Sequence, residues 1–168
     1  TRHLLRLGRR RIAYLGSSSD QWPEFQARYS GYVRAQQEAG IEPDPRLLVE
    51  AQSSEQAGHE AALALLATGA PFDAIFAASD LIAMGAIGAL RERGRTVPGD
   101  VAVIGFDDIA AAAHFIPPLT TVQQDTHRAA EMLVDNLLRM TAGEPVESAL
   151  IEPQLVVRES CGEAVAAD

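Results

Sequence analysis

The chain predicts an α/β fold, an open, parallel, twisted sheet with helices on both faces, and three observations carry that prediction. Four short runs are continuously apolar and β-rich rather than alternating, as strands covered on both faces are. They begin near residues 11, 47, 73 and 101, at intervals of 36, 26 and 28 that suit strand-helix-strand units. Gly8, Gly40, Gly69, Gly94 and Gly143 each follow a stretch of helical pattern, where a left-handed residue ends a helix, so five helices are expected.

The elements follow in order. Residues 1–8 (TRHLLRLG) read as a helix already in progress, with no initiator Met and no apolar run leading to a small-residue cleavage site. The expectation is a piece of a longer protein without a signal peptide. Strands are expected at 11–16 (RIAYLG), 47–51 (LLVEA), 73–78 (DAIFAA) and 101–106 (VAVIGF), alternating with helices at 23–39, 55–68 and 80–93. Such alternation has few ways to bury both kinds of face other than a parallel sheet between helices. After residue 106 the rhythm breaks. An Ala-rich turn at 109–115 leads to Ile116-Pro117-Pro118, a segment at 119–124, a helix near 125–142 and a last run at 151–157. Apart from that turn, only the tail 163–168 is low in complexity.

Composition narrows the function. The 168 residues fit one domain, and 47% hydrophobic with 22% charged residues is ordinary for a globular chain. No apolar run approaches the roughly 18 residues that cross a bilayer, so no membrane partner is expected. All 14 basic residues are Arg, against 23 acidic ones, for a net charge of −9. Five of those arginines lie in the first eleven residues, which leaves the remainder too acidic to hold a nucleic-acid backbone. The single cysteine, Cys161, forbids an internal disulfide and a multi-cysteine metal site and fits a reducing compartment. Cytoplasmic localisation is the expectation.

Several chemistries are missing. Gly85-Ala86-Ile87-Gly88 lies inside a helix and not between strand and helix, so it reads as close helix packing and not as a dinucleotide fingerprint. With no Lys there is no phosphate-binding GxxxxGK[ST] loop; Ser17–Ser19 lack a GxSxG elbow; and His3, His59, His114 and His127 are scattered without ligand spacing. No enzyme, cofactor or metal is expected.

Open α/β sheets bind ligands at the carboxyl ends of their strands, which singles out residues 17–22, 52–54, 79–80 and 107–108. Asp107 and Asp108 end a central strand. Each admits a contact to a neutral ligand or a turn role through a bond to its own backbone, with the ligand reading favoured for Asp107 and the turn reading for Asp108. Asp80, where strand becomes helix, suits capping first and a ligand second. Arg28 shares a helix side with Phe25 and Tyr32; it either forks onto ligand hydroxyls or is a surface arginine. Trp22, the only tryptophan, offers a face for stacking on a ring or a lid on the core.

Four stretches then converge. Residues 9–15 (RRRIAYL), 27–32 (ARYSGY), 77–85 (AASDLIAMG) with 97–108 (VPGDVAVIGFDD), and 117–124 (PPLTTVQQ), in this order and spacing, resemble the LacI/GalR family of bacterial transcriptional repressors over roughly residues 2–160. The resemblance is to the C-terminal part of the effector-binding core, which has a periplasmic-binding-protein-like fold, one Rossmann-like half of it. It implies that Arg28 holds a small-molecule effector, a sugar or similar, that Asp107 accepts hydrogen bonds from it, and that Asp80 and Gln124 face the cleft. Ser53 stands where many members place an aromatic ring, a departure for which Trp22 compensates. The resemblance also implies a homodimer through Met84, Ile87 and Phe115, although burial in the molecule's own fold explains Met84 and Ile87 equally well. Operator DNA would be met only through a helix-turn-helix outside the chain. Residues 11–116 and 150–160 would form the sheet subdomain, with 1–9 and 119–145 belonging to the other lobe. The helix at 126–140 repeats apolar residues at Ala130, Leu133, Val134, Leu137 and Leu138. It is expected to pack on another copy, to pack on the opening helix or to be displaced. A periplasmic sugar-binding protein serving an ABC transporter is the alternative reading.

Overall fold

The computed structural model describes residues 1–163, so the tail from residue 164 lies outside the described residues. Helix α1 (Arg2–Arg6) precedes strand β1 (Ile12–Leu15), and α2 (Pro23–Glu38) leads to β2 (Leu48–Val49). Helix α3 (Glu55–Ala67), β3 (Ala74–Ala77), α4 (Asp80–Glu92) and β4 (Ala102–Ile104) follow. Beyond these come β5 (Thr121–Gln123), α5 (Thr126–Thr141) and β6 (Gln154–Val156). The five predicted glycines each sit one residue past a helix cap with positive φ, 66° at Gly69 and 69° at Gly94 for example, a conformation that a Cβ disfavours.

The sheet order is β2-β1-β3-β4, all parallel, with Ile12 opposite Ala74 and Ala74 opposite Ala102. Every residue of β1, β3 and β4 is buried, which is why these strands read as unbroken apolar runs. Strand β2 is only two residues long because a 3₁₀ turn, Pro45–Leu47, occupies the start of the predicted run. At the other edge, parallel bridges from Ile104 to Thr120 and from Asp107 to Gln123 lay the β5 segment beside β4, while β5 itself pairs antiparallel with β6. Ser160 fastens the returning chain there: its Oγ accepts from the Thr120 amide at 2.8 Å and donates to the Val103 carbonyl at 2.7 Å.

Helices α3 and α4 approach closely at two glycines. A Cβ on Gly85 would overlap the Glu55 carbonyl, and one on Gly58 would overlap the Ile82 carbonyl. The glycines of the GAIG stretch therefore serve helix packing, at least at Gly85, as expected. That contact also settles Met84 and Ile87. They are 4% and 1% exposed within the chain's own core, so they offer no apolar patch to a second copy. Phe115 is half-buried against the same core, and its neighbour Ile116 is 75% exposed.

The opening helix packs on this sheet, with Leu4 fully buried in the same core. Helix α5 has no buried residue, and Leu133, Val134, Leu137, Leu138 and Met140 are all exposed. Residues of this helix and of the loop at 146–151 that follows it line a cleft of about 500 Å³.

Candidate functional site

The tips of β1, β3 and β4 converge because the chain moves to one side of β1 through α2 and to the other through α3, which places the point of strand reversal between β1 and β3. Gly16 ends β1 there, and a Cβ on it would overlap the Ala78 side chain just past β3. The close approach leaves the Ala78 carbonyl to be satisfied from above. Arg28 does this from the second turn of α2: its Nη1 donates to that carbonyl at 2.6 Å. Its Nη2 donates to Asp107 Oδ1 at 3.5 Å, and its guanidinium carbon lies 3.9 Å from the centroid of the Phe106 ring and 5.2 Å from that of Phe25. The arginine side chain is 11% exposed and the Asp107 side chain 33%.

Gln124, just beyond β5, completes the group by donating from Nε2 to the same Asp107 Oδ1 at 2.9 Å. Among the described residues the other carboxylate oxygen, Oδ2, accepts no hydrogen bond. Burial raises the Asp107 pKa above its ordinary 3.8, with the nearby Arg28 and the Gln124 hydrogen bond opposing that shift. The backbone at Asp107 has φ of 111°, a conformation costing a non-glycine residue about 1–3 kcal/mol, and it is pinned by its amide's 2.9 Å bond to the Val122 carbonyl. Thus an open carboxylate acceptor and a guanidinium stand side by side at the strand tips. The cluster contains no nucleophile.

Beside this cluster runs a groove of about 690 Å³ that includes Ser19, Trp22, Phe25, Glu50 and Ser53 in its walls. Trp22 is 58% exposed on it, so the ring is not a lid on the core. Ser53 donates from Oγ to Ser79 Oγ at 2.8 Å, adjacent to Ala78. Phe25 belongs to both places: its ring centroid lies 5.2 Å from the Arg28 guanidinium carbon, and the residue lines the groove.

The structure therefore unites Arg28, Asp107 and Gln124 and puts Trp22 and Ser53 in the adjoining groove. Asp80 is the exception. Ser79, not Asp80, caps α4 by accepting from the Ile82 amide. Asp80 is fully buried, accepting from Thr121 Oγ1 at 2.5 Å on Oδ1 and from the Ile109 amide at 2.9 Å on Oδ2. Both oxygens are occupied, so it braces the strand ends and does not face a ligand. Asp108 also turns inward, accepting from Arg158 Nη2 at 2.7 Å and Gln123 Nε2 at 2.8 Å. Phe106, which lies against the Arg28 guanidinium, and Glu50, in the groove wall, are not among the residues the sequence singles out. The G-F-D-D motif held the signal for Phe106, whereas Glu50 was counted inside a strand that in fact ends at Val49.

The fold also gathers His3, Cys161 and Glu163, whose ligating atoms lie within 4.8 Å of one another, from positions too far apart in sequence to suggest it. The group is closed by hydrogen bonds. The Cys161 thiol donates to the Arg158 carbonyl at 3.4 Å, and the Arg6 guanidinium meets His3 Nδ1 at 3.4 Å, which leaves the histidine proton on Nε2 toward Glu163 at 3.2 Å.

Comparison with known proteins identifies relatives of the whole chain. A regulator of Clostridium saccharobutylicum, the HTH-type transcriptional regulator RegA, is 39% identical over 164 residues, 95% of this chain and 49% of its own length. Among solved structures, the transcriptional regulator CelR in complex with cellobiose superposes with a TM-score of 0.89 at 37% identity, over 95% of this chain and 49% of that one. The lac repressor dimer bound to operator superposes with a TM-score of 0.88 at 31% identity, over 95% and 48%. The chain spans about half the length of the curated relatives it matches. A family model described as the periplasmic binding protein-like domain matches residues 1–161; the chain belongs to that family, and within it to the LacI/GalR-type regulators, matching the C-terminal part of their effector-binding core.

Proposed function

We propose that this chain is the C-terminal half of an effector sensor in a LacI-type repressor, and that it binds a small uncharged hydroxylated molecule, a sugar in the first instance, without covalent chemistry. The observation that carries the reading is the Arg28–Asp107–Gln124 cluster at the strand tips, where one carboxylate oxygen accepts from two donors and the other is left open. A hydroxyl pair on the ligand donates to Asp107 Oδ2 and accepts from the guanidinium. Closure of a second lobe over the ligand shifts the balance between two lobe orientations, and that difference is relayed to helix-turn-helix headpieces on operator DNA. Those headpieces lie in the rest of the protein. The acidic balance of this chain supports leaving DNA contact to them. A cytoplasmic homodimer completes the reading, with Phe115 and Ile116 as the apolar residues left to face a partner copy.

The exposed stripe of α5 supports a second lobe, since Leu133, Leu137 and Leu138 need a cover that residues 1–163 do not supply. Kinship with regulators favours this reading over a transporter's binding protein. The test is calorimetric titration of the full-length protein with a panel of sugars, repeated with Arg28→Ala and Asp107→Ala. Loss of a charged hydrogen-bond partner lowers affinity by about ten- to a hundredfold. Unchanged affinity in both variants removes the site.

A further inference from the structure

The His3–Cys161–Glu163 group shares no residue with the Arg28–Asp107–Gln124 cluster and has a chemistry of its own. An imidazole nitrogen, a sulfur and a carboxylate oxygen meet there, the mixed donor set that zinc takes. His3 Nε2 lies 3.5 Å from Cys161 Sγ and 3.2 Å from Glu163 Oε2, and the three ligating atoms all lie within 4.8 Å of one another. Ligands on a tetrahedral zinc, with bonds of about 2.0–2.3 Å, stand about 3.3–3.6 Å apart. The hydrogen bonds that close the group thus hold its donors at ligand spacing. Their supports are firm on two sides. Cys161 is fully buried on the 3₁₀ turn Glu159–Cys161, whose Ser160 is tied to the Val103 carbonyl at 2.7 Å. His3, 7% exposed, is set by α1, which Leu4 anchors in the core. The Glu163 side chain is 46% exposed, so water reaches the group; zinc held by three protein ligands keeps water in its fourth position.

We propose that His3, Cys161 and Glu163 bind a zinc ion through Nε2, Sγ and a carboxylate oxygen, and that the ion clasps the opening helix to the 3₁₀ turn that follows β6, His3 and Cys161 being 158 residues apart. The thiol proton passes to solvent as the sulfur ligates. The histidine proton moves from Nε2 to Nδ1, which leaves the ring neutral and its Nε2 lone pair free for the metal. Nδ1–H then needs an acceptor, and the Arg6 guanidinium 3.4 Å away carries only donors. Arg6 is exposed and must swing aside, so this arginine opposes the ion. The double charge of zinc offsets the thiolate and the Glu163 carboxylate, which would repel each other at this spacing without it. Bound zinc stabilises the folded chain by mass action, because the ligands come together only on folding. Its role is structural and independent of the effector reading.

The experiment titrates the metal-free full-length protein with Co²⁺, whose thiolate charge-transfer absorption reports a sulfur ligand, and then displaces it with Zn²⁺. The parent is compared with Cys161→Ser, Glu163→Gln and Arg6→Gln. The parent should develop the charge-transfer band, Zn²⁺ should abolish it, since zinc binds such sites more tightly than cobalt, and Cys161→Ser should lack it. Glu163→Gln, a change at a half-exposed side chain, should lower Co²⁺ affinity by about tenfold or more. Arg6→Gln should raise it, because the amide oxygen accepts from Nδ1–H where the guanidinium could not. Zn²⁺ should also raise the Tm of the parent and leave that of Cys161→Ser unchanged. Absence of the band in the parent, or its survival in Cys161→Ser, overturns the site. If Cys161→Ser does not fold, Glu163→Gln decides: affinity equal to the parent's overturns the three-ligand set. Unchanged or weaker binding by Arg6→Gln overturns ligation through His3 Nε2.

Discussion

Replacing Asp80 by alanine separates a structural strut from a ligand contact. In the folded chain this carboxylate is fully buried and accepts two hydrogen bonds, from Thr121 Oγ1 at 2.5 Å and from the Ile109 amide at 2.9 Å. Bonds to a charged group contribute roughly 1.5–3 kcal/mol each. The desolvation of the carboxylate, which raises its pKa, offsets part of that sum. Asp80→Ala should therefore destabilise by about 2–4 kcal/mol, since it also orphans the Ile109 amide beside the segment that carries Asp107. Asp80→Asn keeps an oxygen on that amide and turns its NH₂ onto Thr121 Oγ1, so its loss should be nearer ~1 kcal/mol. Urea unfolding at neutral pH measures both. The sign with pH follows from the raised pKa: the folded state binds the proton more readily than the unfolded chain. The carboxylate thus takes stability away as pH climbs from the ordinary 3.8 through the raised folded value, and Asp80→Asn should flatten that decline. Stability of Asp80→Ala within ~0.5 kcal/mol of the parent would refute the strut. A well-folded Asp80→Asn with about tenfold weaker ligand binding would return Asp80 to the site.

Other expectations follow from the same geometry. Gly85→Ala drives a Cβ into the Glu55 carbonyl and should lower stability by about 1–3 kcal/mol, visible as a reduced Tm by circular dichroism. Arg158→Ala removes the 2.7 Å partner of a largely buried Asp108 and should cost about 3–5 kcal/mol in urea unfolding, whereas replacing both residues with apolar ones should cost less. Because burial holds the Asp107 pKa above 3.8, ligand affinity should fall with acidification at a midpoint above that value, and Asp107→Asn should abolish this limb in calorimetric titrations across pH. Leu137→Ser should be nearly neutral, within ~0.5 kcal/mol, in residues 1–163, where Leu137 is 60% exposed, but destabilising in the full-length protein.

Local chemistry made most of the sheet and all five helices legible. Glycine past each helix end and unbroken apolar strands are signals that act within a few residues, and tertiary packing reinforced them here. Contacts made across the chain were the less visible part. Nothing local shows that Leu4 joins the main core or that Met84 and Ile87 face inward, because an apolar stripe does not declare which surface it meets. Asp80 illustrates the same limit: a carboxylate at a strand end reads as a cap or ligand contact, and only the approach of Thr121 from the crossing strand converts it to a buried brace. Asp107 was legible because it follows a strand tip, where open α/β sheets bind ligands; the helix side of Arg28 left two readings open, and the place of Gln124 rested on the family resemblance alone. Glu50 was lost by a two-residue difference in where β2 stops.

The most direct test of the account is a crystal structure of the full-length protein with the tightest-binding neutral sugar from the titration panel. The account predicts ligand hydroxyls within hydrogen-bond distance of both the Arg28 guanidinium and Asp107 Oδ2. A sugar bound elsewhere, with these two side chains touching only each other and the Ala78 carbonyl, would contradict it.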